Sequence, residues 1–205
     1  MTAPPFKADH VGSLLRPKAL LDARAARQAG TLSDAALREI EDKAVQHAVA
    51  LQKDVGLQCC TDGDFRRRHW FMDFIERIDG IRFGAPMAVR FKSTDGSVEF
   101  SPPQMELHGK LRRTQSLTGS DFTQVKPLAD KAGLTPKQTI PSPTLLHYRS
   151  TRSRKHSTIY PDVDELYADI ARVYREEIAA LYAAGCRYLQ IDETNLPGHL
   201  SDPKL

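Results

Sequence analysis

What most constrains this chain is an alternation. Apolar runs too short for helices, each ending in a polar loop, take turns with amphipathic segments of helical period. "SDAALREIEDKAVQHAVALQKDVG" puts Leu37, Ile40, Ala44, Val45, Ala48 and Leu51 on one stripe and stops at Gly56, and "LQCCT" follows at once. "SDFTQVKPLADKAG" reads as a helix leading into "KQTIPSP", a strand that its prolines close. From Asp162 to Gly185 runs the clearest helix: Asp162 and Glu165 have capping-box spacing, and its apolar stripe is Val163, Leu166, Tyr167, Ile170, Val173, Tyr174, Ile178, Leu181 and Tyr182. It passes into the strand "RYLQIDE". At the amino end a strand over about Ala8 to Val11 meets Gly12-Ser13, and Pro17 opens a helix rich in Ala, Leu and Arg. Such alternation predicts parallel βαβ units.

The helix-to-strand joins are short, whereas the strand-to-helix loops are longer and polar. That asymmetry predicts a functional face at the carboxyl ends of the strands, as in (β/α)8 barrels. A complete TIM barrel takes about 250 residues and eight units; about four strong strands are found in these 205 residues. Between about Gly80 and Arg113 the pattern changes to "IRFG", "AVRF" and "SVEF", with turn signals at Asp95-Gly96 and Pro102-Pro103, which predicts a β-hairpin inserted after the second strand. The expected fold is therefore α/β: residues 1–205 as the amino-terminal part of one TIM barrel domain, incomplete in this chain.

Composition narrows the function. With 40% hydrophobic and 27% charged residues the chain reads as soluble and globular, and no apolar run is long enough for a membrane span or a signal peptide, so a cytoplasmic protein without a membrane partner is expected. A net charge of +3 does not imply nucleic acid. The basic run from Arg149 to His156 contains no aromatic residue and reads as a surface loop. Cys59, Cys60 and Cys186 make an odd number; the first two, adjacent in a strand, point to opposite faces, so no disulfide framework is expected. Neither thiolate-zinc spacing nor a nucleotide-binding glycine motif occurs.

Polar groups at the strand tips are the candidate site. Gly12-Ser13 is either a plain tight turn or a place where backbone amides and the Ser13 hydroxyl approach a ligand. Asp62 and Asp64 in "TDGDF" are either turn and cap residues or carboxylates for an ammonium group. The neighbouring Arg66, Arg67 and Arg68 read as a solvated face, with one of them available to orient an acid; Trp70 and Phe71 read as core or rim. Alternation sends Asp192 and Glu193 to opposite faces, so one of them points into a barrel mouth. A pair of carboxylates also admits a glycosidase, whose fixed carboxyl separation a sequence does not give.

Read in order, "DHVGSLLRP", "TDGDFRRRHWF", "TIPSPTLLHYR" and "GCRYLQIDETNL" resemble the catalytic barrel of cobalamin-independent methionine synthase, especially its short single-barrel bacterial relatives, over nearly the whole chain. The resemblance implies methyl transfer from 5-methyltetrahydrofolate, as a polyglutamate, to homocysteine, giving methionine, with zinc holding the thiolate. It implies substrate contacts from Gly12 and Ser13 (carboxylate), Asp64, Asp192 (ammonium) and Glu193, with Tyr148 near the pterin. Asp64 stands where the family usually has Glu, one methylene longer. The family's zinc ligands and proton-donating His fall beyond residue 205, so this chain alone is expected to hold no metal tightly, to lack catalytic residues, and to self-associate or pair with a carboxyl-terminal half. The rival readings are a non-catalytic half-barrel that binds a partner, and a zinc-dependent alkyl transferase using another thiol such as coenzyme M.

Overall fold

A computed structural model describes residues 9–86, 89–93, 96–100, 103–151, 156–194 and 196. In chain order its elements are α1 (Lys18–Gln28), α2 (Asp34–Asp54), β1 (Cys59–Cys60), α3 (Met72–Glu76), β2 (Asp79–Pro86), β3 (Val89–Ser93), β4 (Gly96–Phe100), β5 (Pro103–Arg112), α4 (Gly119–Ala132), β6 (Thr135–Pro141), α5 (Pro143–Thr151), α6 (His156–Ile159), α7 (Val163–Ala183) and β7 (Tyr188–Asp192). They fall into two compact units. The first comprises residues 1–73, 118–140 and 178–192; the second comprises 74–117, 141–177 and 193–205.

In the first unit β1, β6 and β7 form a sheet in that order, with β1 and β6 parallel and Cys60 opposite Pro136. Leu20, Val45, Ala48, Val49, Cys60, Phe65, Phe122, Val125, Ala129 and Leu181 make its core. Helix α2 begins where the sequence predicts: Ser33 accepts the Ala36 amide, and Gly56 takes the left-handed conformation (φ 84°) that ends it. Its buried face differs from the predicted stripe. Leu51 is 47% exposed, while Val49 and Gln52 are buried. Gln52 is held inside because its amide donates to the Ala48 and Thr61 carbonyls and accepts from the Thr61 N–H, so a polar side chain replaces ladder bonds at the start of the loop after β1.

The strand expected at the amino end does not form over Asp9–Val11. Side chains serve its backbone instead: Lys137 donates to the His10 carbonyl, and Gln190 donates to that of Val11 at 2.7 Å. The chain is tethered to the inner residues of β6 and β7 without a ladder.

In the second unit β2 pairs antiparallel with β5, and β3 with β4, Ser93 opposite Gly96. The inserted hairpin is thus present as two paired ribbons; Asp95 and Pro102, in the predicted turns, lie outside the described residues, as do residues 152–155 of the basic run. Asp162 caps α7 by accepting the Asp164 amide, while Glu165 pairs with Lys110 instead of closing a capping box. Of the predicted α7 stripe, Leu166, Ile170, Val173, Tyr174 and Leu181 are buried, and Val163, Tyr167, Ile178 and Tyr182 are exposed. The stripe also carries Glu177, fully buried, whose carboxylate accepts from Arg113 Nε at 2.6 Å and the Leu117 amide at 3.2 Å. Among the described residues, strands form sheets of three, two and two, and these do not close as a barrel.

Candidate functional site

Immediately after β1 the chain must reverse within a few residues, and its polar side chains satisfy the turn. Thr61 Oγ1 accepts the Gly63 amide at 3.1 Å and donates to the Gly12 carbonyl at 2.6 Å; the Leu14 amide donates to the Gly63 carbonyl at 3.1 Å. Segments 12–14 and 61–64 are thereby stitched together. Gly12 is required there: its φ is +139°, and a Cβ would lie 2.7 Å from Thr139 Cγ2. Asp64 has a φ of 57°, a conformation that costs a non-glycine residue about 1–2 kcal/mol. It is over-determined by its neighbours. The Asp64 amide donates to Asp62 Oδ1 at 3.0 Å, its carbonyl accepts from Arg16 at 3.0 Å, and its Oδ2 accepts the Ser13 hydroxyl.

Arg67 completes the set. It is 3% exposed, donates to the Thr139 carbonyl at 2.9 Å and the Thr139 hydroxyl at 3.2 Å, and stands 3.3 Å from Asp64 Oδ1. The expected solvated face holds for Arg68 alone of the three arginines, at 61% side-chain exposure, because Arg66 is drawn onto Asp42 and Glu41 of α2 and Arg67 into the turn. Nothing in the sequence separates Arg67 from its neighbours; only its register in the turn does.

Acids and arginines are packed together in this corner, Asp62 and Asp64 against Arg67 and Arg16. Burial, and the like charges of Asp64 and Asp121, push the Asp62 carboxyl up to about 6 in spite of Arg67, and its Oδ2 is buried with no hydrogen bond. Burial also raises Asp192 from its ordinary value: Gln190, donating at 2.5 Å, works against this, and the Asp64 charge adds to it. For Arg67, burial works to lower the pKa, but Asp64 and Asp62 outweigh it and the net shift is upward. The first unit therefore brings Gly12, Ser13, Asp64 and Asp192 into one neighbourhood. Glu193 and Tyr148 belong to the second unit: Glu193 accepts from the Thr144 hydroxyl and the Leu196 amide, and the Tyr148 side chain lies outside the described residues.

A second polar cluster surrounds Asp9. Lys137, with 0% of its side chain exposed, donates to Asp9 Oδ2 at 3.0 Å, to Gln190 Oε1 at 3.0 Å and to the His10 carbonyl, while Tyr188 also donates to Asp9 Oδ2. A lysine amid the buried run of β6 was the one sequence signal for it. Asp9, His10 and Cys59 bring ligand-type atoms within 4.8 Å of one another. They do not fit the zinc implied by the resemblance. Cys59 donates to Asp9 Oδ1 at 3.0 Å, and burial and Asp9 push its thiol up to about 12, so the sulfur keeps its proton. The buried ammonium of Lys137 already neutralises the carboxylate, and His10 Nε2 is engaged with Gln52 Oε1 at 2.7 Å. Cys60 lies in the core, its thiol pushed by burial up to about 11, which agrees with the expectation of opposite faces for the two cysteines.

Comparison with known proteins gives these arrangements a context. A family model described as "Cobalamin-independent synthase, Catalytic domain" matches residues 6–204. The protein YxjH of Bacillus subtilis, itself uncharacterized, is 38% identical over 192 residues, covering 93% of this chain and 48% of that protein. A methionine synthase of Sulfurisphaera tokodaii is 28% identical over 192 residues, covering 94% of this chain and 53% of that one. Among solved structures, a putative vitamin-B12 independent methionine synthase from Listeria monocytogenes superposes with a TM-score of 0.77 at 36% identity, covering 98% of this chain and 56% of that chain. The chain spans about half the length of the curated relatives it matches. No described helix is long and apolar enough to cross a membrane.

Proposed function

We propose a function from one premise: the chain belongs to the cobalamin-independent methionine synthase family, through its catalytic domain. Residues 1–205 are the amino-terminal part of a single TIM barrel, and they supply the amino-acid end of the substrate site of a cytoplasmic methyltransferase. The reaction of the whole protein is transfer of a methyl group from a methylated folate to the thiol of homocysteine.

One observation carries this reading: the Gly12-Ser13 turn, Asp64 and Asp192, remote in sequence, share one corner of the first unit, where carboxylates stand beside Arg67 and Arg16. A small zwitterionic ligand, with both an amine and a carboxylate, matches that mixture of charges. Asp192, raised by burial and by Asp64, gains from a neighbouring ammonium. Zinc, when bound in the family, supplies the thiolate; in this reading its ligands come from outside residues 1–205. The remainder of the site is supplied by a further stretch of barrel, in the same or a second chain. The outer position of β7 in its sheet, with Ile178, Tyr182 and Ile191 exposed at 38%, 62% and 46%, supports such a neighbour.

The test is methyl transfer to homocysteine, with coenzyme M as a competing acceptor, by the gene's complete product supplied with methylated folate and zinc. Asp192→Asn is expected to weaken homocysteine binding by roughly 1.5–3 kcal/mol, the scale of a hydrogen bond to a charged group. Turnover of coenzyme M but not homocysteine, or an unchanged homocysteine affinity in the variant, overturns the substrate assignment.

A further inference from the structure

On β7, Tyr188, Gln190 and Asp192 alternate with Leu189 and Ile191 and so lie on one face of the strand. Lys137 of β6 serves that face. Its ammonium has three donors and no acceptor, and all three are spent: on Asp9 Oδ2 at 3.0 Å, on Gln190 Oε1 at 3.0 Å and on the His10 carbonyl. The amide of Gln190 must therefore turn its oxygen to Lys137. Its nitrogen end is pinned independently, since the Val11 carbonyl, 2.7 Å away, can only accept. One N–H is left, and it points at Asp192 Oδ1 at 2.5 Å. Neither constraint involves Asp192, so that carboxyl meets a donor whatever its own protonation state. A donor favours the ionised carboxylate. Around Asp192, burial and the Asp64 charge favour the proton, while Gln190, Arg67 and Lys137 oppose it.

We propose that Gln190 is a positioning residue for Asp192: Lys137 and the Val11 carbonyl fix the polarity of its amide, and the amide holds the Asp192 carboxylate in the ionised, accepting form that an ammonium ligand needs. The role rests on the amino-acid thiol reading above, but the line of bonds from Lys137 through Gln190 to Asp192 exists without a ligand. Turning the amide over would set its oxygen against the Val11 carbonyl and its nitrogen against a buried ammonium, losing two bonds and offering Asp192 no donor. The buried lysine, which no ligand reaches, thereby acts on the carboxylate at the strand tip. Asp9, to which Tyr188 and Cys59 also donate, anchors the other end of the line.

The test follows the Asp192 carboxyl carbon by NMR across pH in the 205-residue chain labelled at aspartate, with Asp192→Asn assigning the signal. Gln190→Met keeps the length of the side chain and removes the donor. Gln190→Glu keeps an acceptor for Lys137 but sets an oxygen against Asp192. The Met variant is expected to raise the Asp192 midpoint by about one to two pH units, the scale of a hydrogen bond to a charged group. The Glu variant should raise it further, because two facing carboxyl groups share one proton. Homocysteine affinity should fall as pH drops through the Asp192 midpoint, and in Gln190→Met that limb should move up by the same amount. If the Glu variant does not fold, the Met shift alone decides. An unmoved midpoint in Gln190→Met means that Gln190 only packs, and a shift no larger in Glu than in Met means that its polarity is immaterial; either overturns the proposal. A midpoint that moves while the homocysteine limb stays supports the positioning of Asp192 and refutes its assignment to the ligand's ammonium.

Discussion

Asp62 offers a stability test that needs no ligand. Its carboxyl is buried, one oxygen has no hydrogen bond, and its pKa is raised from the ordinary value of 3.8 to about 6 by burial and by Asp64 and Asp121. The folded chain then binds this proton more tightly than the unfolded chain does. Its contribution to stability is fully present below about pH 4, is lost as pH rises to about 6, and is level above that. The gap between the two pKa values corresponds to about 3 kcal/mol, at about 1.36 kcal/mol per factor of ten in acidity. Asp62→Asn keeps the acceptor for the Asp64 amide and removes the titration. Its unpaired amide hydrogens cost the same at every pH, so they cancel when denaturant unfolding of variant and wild type is compared at about pH 4 and about pH 8. Relative to wild type, Asn should gain about 2–3 kcal/mol between the two. A difference independent of pH would show that Asp62 ionises like an exposed carboxyl, and its burial beside Asp64 would then be wrongly described.

Three further outcomes follow from the same geometry. Lys137→Met removes a fully buried cation, leaves Asp9 with the Tyr188 and Cys59 donors but no ammonium, and unpairs the Gln190 and His10 acceptors, so it should destabilise the chain by about 3 kcal/mol in a denaturant titration; a change near zero would mean that the three acceptors relax freely. Gly12→Ala drives a Cβ to 2.7 Å from Thr139 and should cost roughly 1–3 kcal/mol, while the same change at Gly30, whose Cβ would meet nothing within 4 Å, keeps only the backbone penalty. The dialysed chain should retain well under one zinc per molecule by elemental analysis, because Lys137 and the protonated Cys59 occupy the one Asp-His-Cys cluster among the described residues; stoichiometric zinc lost in Cys59→Ser would contradict this.

The periodic elements were legible in the sequence because local chemistry decides them. Ser33 and Gly56 bracket α2, Gly133 ends α4 in the left-handed region, and the opposite facing of Cys59 and Cys60 follows from strand geometry alone. What was not legible depends on partners far along the chain. Leu51 sits on the predicted stripe yet faces solvent, since Gln52 turns inward to bond Thr61. Asp9–Val11 has strand composition, but Lys137 and Gln190 take its carbonyls and no ladder forms. Arg66, Arg67 and Arg68 are identical in type, and only the left-handed turn at Gly63-Asp64 decides which of them is buried. Ser13 and Asp64 were both candidates; the bond between them is a tertiary fact.

The central claim, one ligand corner formed by the Gly12-Ser13 turn, Asp64 and Asp192, is tested most directly by mapping amide shifts of the isotope-labelled chain during titration with homocysteine. Saturable shifts should centre on Gly12, Ser13, Gly63, Asp64 and Asp192 and be abolished by Asp64→Asn combined with Asp192→Asn. Shifts centred elsewhere, for example on the cleft between Arg66 and Gln124, or a double variant that binds as tightly as wild type, would contradict the account.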